Sequence, residues 1–562
     1  MRKRVSENGL TVNAVAGSYV VMLGLNVTDA KRAGLRGFGI KRTDKTESES
    51  YWMSGTKTFE SVEPNPVPGV QYSSLFHPFQ SFQWSDYSAK PGYTYMYTVT
   101  AMYGAPDALK KGVSVDVTVK TEGIEGEEHT ILFNRGSVAT QEYARRFQNR
   151  PPDKAGQAAY DWLSRGLIEG IIAFIRRAKD DSFGLKGAYY EFQWPTVLDE
   201  LGEAKKRGAD VKVVFDDIDN ASGPHTKNEK AIADAKIKSL CKPRTNGTLM
   251  HNKFLVLTKN NKPIAVLLGS TNLTGNGLFG HANCAHVVEN ADIAAKYLEF
   301  FDMLATDPET GIRVSDYKNW TIEQTPAPAT DFVEGMAPVF SPRANIDALD
   351  WYGELASAAK DALFMTFAFG MNDVFQNVYS KKDDILRVGL MEKEWNGANK
   401  DAQIAAVRKI QALPNVVIAI GNKIPLNGFD QWLAEGDRGV THATNVIWVH
   451  LKFMLVDPLS DNPTVITGSA NFSAASTKTN DENMLVIKGN TRVADIYLGE
   501  YMRLYSHYAF REAVKIFLDR NPKAKPVDMK RGFLIENGDW TKPYFDLNDK
   551  TARRARRLYF AG

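Results

Sequence analysis

The chain has 562 residues, of which 43% are hydrophobic, 24% charged and 11% aromatic; these ordinary globular proportions exclude a disordered, collagenous or coiled-coil chain, and the length calls for three or four folding units. Sixty-nine basic residues against 66 acidic ones leave a net charge of +3, too balanced to argue for a nucleic-acid partner, whose phosphates reward a strongly basic surface. Two cysteines, Cys241 and Cys284, exclude a disulfide framework and leave room for a single bridge.

The chain opens on Met1-Arg2-Lys3-Arg4, with an apolar stretch at 20–25. That stretch is too short for a signal peptide and is preceded by Gly17 and Ser18, so it is read as a first β-strand; with no cleavable signal, the protein is taken as cytoplasmic by default or exported by another route. No run of about 18 apolar residues occurs, so no transmembrane helix is expected. Up to about residue 125 the pattern is short and alternating. Tyr93, Tyr95, Tyr97, Val99 and Ala101 share one face, Val113, Val115, Val117 and Val119 another, with Pro91-Gly92 and Gly104-Ala105-Pro106 as turns. This predicts an all-β, sandwich-like domain over 1–125 whose Tyr-rich strand resembles one of a fibronectin type III or immunoglobulin-like module.

After Arg146 the period becomes helical. Leu163, Leu167, Ile171 and Phe174 predict a helix face, 188–192 a strand, Val197, Leu198, Leu201 and Ala204 a second helix stopped at Lys206-Arg207-Gly208, and 211–215 a second strand. The order returns: 355–362 as helix, 364–369 as strand, Ile404, Val407, Ile410 and Leu413 as a helix face, 416–420 as strand. Alternating helix and strand predict α/β architecture with a largely parallel sheet, duplicated over roughly 150–310 and 340–525. The stretch from Thr325 through Pro326 and Pro328 to Thr330 reads as the linker, giving one half over 126–325 and the other, with a C-terminal extension, over 326–562.

The repeat is sharpest at a polar motif. His251-Asn252-Lys253 and Gly269-Ser270-Thr271-Asn272 recur as His450-Leu451-Lys452 and Gly468-Ser469-Ala470-Asn471, at a constant offset of 199 in a chain with only nine histidines. A decoy, His225-Thr226-Lys227, has Pro243 where the glycine would stand. His and Lys two apart at a strand share a face, and the glycine permits a tight turn that presents Ser and Asn. Two such half-sites meeting would surround a phosphoryl group with two imidazoles, two ammonium groups and neutral donors.

The duplicated His-x-Lys with Gly-Ser-x-Asn resembles the phospholipase D superfamily, over about two thirds of the chain. The resemblance implies two pseudo-symmetric α-β-α halves forming one catalytic body and metal-independent transfer of a phosphodiester without a cofactor. It implies His251, His450, Lys253 and Lys452 as catalytic residues and Ser270, Asn272, Ser469 and Asn471 as phosphate-binding ones. One histidine attacks phosphorus while the other protonates the leaving alcohol. The family places Asp five residues after the Lys; the second copy has Asp457, the first Thr258. Eleven residues after the Asn, the second copy has Glu482 and the first Asn283. With the carboxylate assigned to His450 and the amide to His251, the expectation is His251 as nucleophile and His450 as general acid, then base.

The function expected is a phospholipase D that hydrolyses glycerophospholipids such as phosphatidylcholine, or transfers their phosphatidyl group, as a monomer at a membrane or micelle surface. Trp194, Phe279 and Trp432 are candidates for an apolar mouth. Two other readings are a nucleic-acid phosphodiesterase of the same superfamily and a non-catalytic lipid-binding protein. Arg553, Arg554, Arg556 and Arg557 are read as a solvated helix end, Asp216 and Asp217 as capping residues, and the cluster of His281, Cys284 and His286 as lacking the ligand pair a metal site needs.

Overall fold

In the strand Thr94–Ala105, Tyr95, Tyr97, Val99 and Ala101 are buried, and they face Val119, Val117 and Val115 on the antiparallel strand Ala108–Lys120. Such period-two burial needs a second layer to cover it. The computed structural model, which describes all residues except 68–69, 137–139, 149, 221–222, 310–314, 329–331, 396–398, 422–448, 521–532 and 550, supplies that layer. One sheet runs Ala108–Lys120, Thr94–Ala105, Gly37–Asp44, Glu49–Trp52; the other runs Arg2–Glu7, Leu10–Ala16, Val21–Val27, Gln83–Asp86. The apolar stretch near the start is a strand, but the third in chain order and not the first, because Arg2–Glu7 and Leu10–Ala16 precede it, and it lies inside the second sheet. The two sheets share one core, which Trp540 completes from the far end of the chain, its indole donating to the Leu35 carbonyl at 2.8 Å.

The C-terminal region therefore returns to the beginning. Phe533–Leu534 pairs with Thr58–Phe59, and the helix Arg553–Ala561 lies across Val21–Val27 so closely that a Cβ on Gly24 would meet the Phe560 carbonyl at 1.8 Å. Arg557, expected in solvent, is buried there, its guanidinium 3.9 Å from the Phe545 ring centroid and donating to the Tyr544 carbonyl at 2.8 Å.

Each α/β half is built on one mixed sheet, not a largely parallel one. In the first, Phe183–Tyr189, Asp210–Asp216 and Cys241–Arg244 run parallel, whereas Lys253–Lys259, Lys262–Gly269, Cys284–Val288 and His129–Phe133 add antiparallel neighbours. The reason is local: the His-Lys strand turns straight back through Asn260 and Asn261, both left-handed (φ 50° and 61°), so it forms a hairpin instead of a crossover. The second half repeats this with Ala362–Phe367, Leu386–Met391 and Val416–Ile420 parallel, and Phe453–Val456, Thr464–Gly468, Asn480–Lys488 and Gly335–Ser341 antiparallel. Helices Pro195–Lys206 and Lys400–Gln411 fall where periodicity put them. Three expectations shift. The strand expected over 188–192 is Phe183–Tyr189. The helix through Leu163 and Phe174 is broken at Arg165 and Gly166 (φ 50° and 92°) into Gln157–Ser164 and Leu167–Arg176; the helix expected over 355–362 is Asp347–Ser357. Of the linker, residues 329 and 330 lie outside the described residues.

The halves are stitched together. Leu249–Met250, just before His251, pairs with Asn480–Asp481 of the other half, and Ala282 forms the counterpart bridge with Val449, just before His450. The helix Thr491–Arg520 seals the seam: the Tyr497 ring sits 5.2 Å from Phe133 of the first half and 5.2 Å from Phe453 of the second. Among the described residues no helix is long and apolar enough to cross a membrane.

Candidate active site

The pairing just described brings the two motif histidines together. Their ring centroids are 6.3 Å apart at 70°, and each residue is only 7% exposed. Each Lys ammonium folds back onto the carbonyl of the histidine two residues earlier, Lys253 onto His251 and Lys452 onto His450. The residues before the histidines are held by acids at the ends of corresponding strands: Asp216 accepts from the Met250 N–H at 2.8 Å, and Glu392 from the Val449 N–H at 2.9 Å. Asp216, read as a cap, thus fixes the approach to His251. Glu392 was not singled out by sequence, although its place after the second parallel strand matches that of Asp216.

The ring partners cross between halves. His251 Nδ1 lies 2.9 Å from Glu482 Oε2, and His450 Nδ1 lies 2.8 Å from Asn283 Oδ1. The expected pairing, carboxylate with His450 and amide with His251, is therefore reversed. The cause is topological: Glu482 follows the strand residues that pair with Leu249–Met250, so it faces the first-half histidine. The Asn283 amide nitrogen donates to the Gly277 carbonyl at 2.8 Å, which leaves its oxygen to accept from His450. Both rings hence carry their proton on Nδ1 in the neutral state, and neither Nε2 has a hydrogen-bond partner among the described residues.

Ser270 and Ser469 are fully buried and take a different part from the phosphate contact expected of them. Each spends its one hydroxyl hydrogen on the ring partner of its own half, Ser270 on Asn283 Oδ1 (2.9 Å) and Ser469 on Glu482 Oε2 (2.7 Å). They brace the residues that orient the imidazoles. The amide oxygens of Asn272 and Asn471 are buried without a hydrogen-bond partner among the described residues. The glycines before the serines are required by proximity: a Cβ on Gly269 would lie 2.3 Å from the Cys284 carbonyl, and one on Gly468 would lie 2.2 Å from that of Asn483.

Burial dominates the electrostatics. It pushes His251 down to about 4, against the upward pull of Glu482, and holds His450 well below the usual imidazole range, helped by Lys452, His281, Lys253 and His251. Lys253 is pushed down to about 7 by burial, and Lys452 well below the ordinary ammonium range by burial and the like charge of Lys253. Burial also works to raise Glu482, yet His251, Lys253 and Ser469 outweigh it and keep the carboxyl below its usual value. Two buried ammonium groups and two imidazoles gather beside Glu482, with Glu191 and Asp216 also acting on Lys253, an assembly of cations and N–H donors of the kind that can hold a phosphodiester anion.

A family model for the cardiolipin synthase, PLD-like domain matches residues 171–305 and 353–504, one match in each half and together half of the chain. The chain belongs to the phospholipase D superfamily. A phosphodiesterase-type function goes with that membership. No curated protein matches the sequence. Among solved structures, this superfamily member is similar to polyphosphate kinase from Porphyromonas gingivalis (11% identity, TM-score 0.36, 56% of this chain and 42% of the kinase), so it spans less than half of that protein's length. It is also similar to phosphatidylserine synthase from Haemophilus influenzae (13% identity, TM-score 0.41, 65% and 93%). A third similarity is to Nuc from Salmonella typhimurium, a phospholipase D family member (26% identity, TM-score 0.22, 25% and 87%).

In this member of the phospholipase D superfamily the remaining sequence candidates scatter. Asp457 lies away from the imidazoles; its carboxylate accepts from the backbone N–H groups of Lys360, Asp361 and Ala362 at 2.8 to 3.1 Å and so fixes the turn into the first strand of its half. Its counterpart Thr258 is buried on the hairpin strand opposite Gly184. His281 joins the site, its ring 5.6 Å from that of His450, whereas His286 contacts the Tyr497 hydroxyl and Cys284 lies behind the site between Thr467 and Ser270. Both cysteines are free. Trp194 and Phe279 pack on each other and on Tyr160 at centroid distances of 5.0, 5.9 and 4.9 Å, which is packing of a wall; Trp432 lies outside the described residues. Tyr190, its ring 5.1 Å from that of His251 and 5.2 Å from the Lys253 ammonium, lines the first-half side of the site.

Proposed function

We propose that the protein is a phospholipase D that cleaves the distal phosphodiester bond of glycerophospholipids such as phosphatidylcholine, with water or another alcohol as acceptor. The observation that carries the mechanism is the crossed pair of Nδ1 contacts. In the first step the His251 Nε2 lone pair attacks phosphorus, the bond from phosphorus to the headgroup oxygen breaks, and that oxygen takes the Nε2 proton of His450. The His251 ring then bears positive charge for as long as the P–N bond lasts, and Glu482 opposes that charge at 2.9 Å. In the second step His450 takes a proton from the incoming water or alcohol, whose oxygen bonds to phosphorus as the P–N bond breaks. His450 is protonated before the first step, neutral between the two steps and protonated again after the second, so it bears no charge while the P–N bond lasts and a neutral acceptor such as Asn283 is enough to orient it. The phosphodiester's own negative charge offsets the burial that disfavours the starting imidazolium. His251 is thus kept as nucleophile, on the opposite electrostatic reasoning from that of the sequence. Asn272 and Asn471 of the repeated motif are taken as the neutral phosphate ligands, through their amide N–H groups.

The N-terminal unit is proposed to be a fibronectin III-like support, which its two antiparallel sheets around one core favour. The test supplies phosphatidylcholine vesicles with a primary alcohol, and plasmid DNA separately, both with chelator present. Formation of the phosphatidyl alcohol supports the proposal; nicking of DNA alone would replace it with a nucleic-acid phosphodiesterase, and silence in both with a binding protein. His251→Ala and His450→Ala each abolish turnover, and acid-quenched enzyme carries its phosphoryl group on His251. Recovery of that group on His450 would exchange the two roles.

A further inference from the structure

Two residues past the strand His129–Phe133, at the end where Phe133 pairs with Cys284 beside the catalytic centre, Arg135 stands in a group of three arginines around one carboxylate. Arg165 donates from Nη2 to Glu500 Oε2 at 2.9 Å and from Nε to the Phe133 carbonyl at 3.0 Å. Arg503 holds the same carboxylate through Nε, at 3.0 Å, and Nη2, and that Nη2 also reaches the Asn134 and Arg135 carbonyls at 3.3 Å. Both of these guanidinium groups are thus neutralised and bonded.

Arg135 is not. The residue is half-buried; its Nε is sealed from water without a hydrogen bond, and neither Nη makes one among the described residues. What holds it is Trp162, whose ring centroid lies 4.8 Å from the guanidinium carbon. Stacking fixes the plane of a guanidinium and leaves its N–H edge open to a second partner. Arg146 approaches the same ring at 5.9 Å, but its Nε is paired with Glu142 at 2.7 Å. Burial, then the like charges of Arg165 and Arg503, bring Arg135 down to about 10, far below an ordinary guanidinium. A forked donor held in place, unbonded and repelled by its neighbours, is poised for an anion. Three guanidinium groups against one carboxylate leave two positive charges, which a phosphate dianion matches and a single carboxylate does not.

We propose that Arg135, with Trp162 behind it and Arg165 and Arg503 beside it, forms a binding site for a phosphate dianion outside the pair of catalytic histidines, filled by inorganic phosphate or by the phosphomonoester headgroup of a lipid. The lipid source rests on the phospholipase reading, whose product, phosphatidic acid, carries such a headgroup; the site itself does not. Its neighbours tie it to the His450 half. Asn134 Nδ2 donates to the His281 carbonyl at 2.7 Å, and its Oδ1 accepts from the Asn283 N–H at 3.0 Å. A Cβ on Gly136 would lie 3.0 Å from that same His281 carbonyl. An anion on Arg135 therefore bears on the segment that places His281 and Asn283 around His450.

The experiment is equilibrium dialysis of labelled inorganic phosphate against the full chain at constant ionic strength. Every sample carries Lys253→Met, which weakens anion binding at the catalytic centre and stops turnover. One equivalent binds saturably, adding Arg135→Gln lowers its affinity about tenfold or more, and adding Arg135→Lys, which keeps the charge and loses the fork, falls between. Phosphate raises the melting temperature of the Lys253→Met parent and leaves that of the Arg135→Gln protein in place. A second arm floats the proteins on phosphatidylcholine vesicles with and without phosphatidic acid. Flotation that needs both phosphatidic acid and Arg135 assigns the lipid as the source; phosphate binding without it assigns the free anion. Equal affinity in the Arg135→Gln protein, or no saturable binding in either arm, overturns the proposal, and neither result touches the phosphodiesterase reading, because no turnover is measured.

Discussion

Replacing Glu482 by Gln keeps the shape of the site and removes one charge. The carboxylate is fully buried and accepts from His251 Nδ1 at 2.9 Å and from Ser469 at 2.7 Å. A hydrogen bond to a charged group contributes about 1.5–3 kcal/mol and a neutral one about 0.5–1.5, so the variant loses about 1–2 kcal/mol of stabilisation as positive charge builds on the His251 ring. That is a fall of about 5- to 30-fold in kcat/KM. Two substrates separate the roles. With a choline ester the loss is full. With a p-nitrophenyl phosphodiester, whose leaving group needs no proton, Glu482→Gln loses the same factor because attack is impaired, whereas Asn283→Ala recovers most of its deficit. Stopped-flow release of p-nitrophenol reads both. A Glu482→Gln enzyme within twofold of wild type on both substrates, or the reverse pattern between the two variants, refutes the assignment of charge to the His251 ring.

The pH profile of kcat/KM has an acid limb as His251, held near 4 by burial, takes up a proton and loses its attacking lone pair, and it falls on the basic side first as His450, held well below the usual imidazole range, loses the proton the leaving group needs and then as Lys253, held near 7, loses the charge that attracts phosphate. Because Glu482 pulls His251 upward, Glu482→Gln moves the acid limb to lower pH, as initial rates in a three-buffer series show. Gly269→Ala and Gly468→Ala each drive a methyl group into a carbonyl and cost about 1–3 kcal/mol or more, visible as a lower urea midpoint; unchanged midpoints would contradict the close backbone approach. Asp457→Ala frees the donors at 360–362 and costs about 1 kcal/mol in the same assay, with kcat unchanged, since its carboxylate serves a turn and not the site.

The duplicated motif was legible because both copies keep it at one offset, and so were the strands whose period-two faces are buried on one side. The ring partners were only half legible. Glu482 and Asn283 stand out by position, but sequence places each beside its own histidine, whereas the Met250 to Asp481 and Ala282 to Val449 pairings exchange them. Backbone pairing between distant segments leaves no periodic trace. The mixed sheets were misread for a related reason: hydrophobic runs give a strand's presence and not its direction, and the Asn260-Asn261 turn that sets the direction was passed over. Arg557 was placed in solvent because nothing local reveals that residues 533–562 fold back onto the first sheet.

The carboxylate that serves His251 is 231 residues downstream of it. During synthesis His251 therefore emerges long before its counter-charge exists. A chain arrested anywhere between the two motifs carries an imidazole with no Glu482 to oppose the charge of attack and no second ring to donate a proton. The two-histidine site is incomplete while the protein is unfinished, and a proteolytic fragment holding either half alone lacks it equally. Competence at this site doubles as proof that both halves were made, folded and joined.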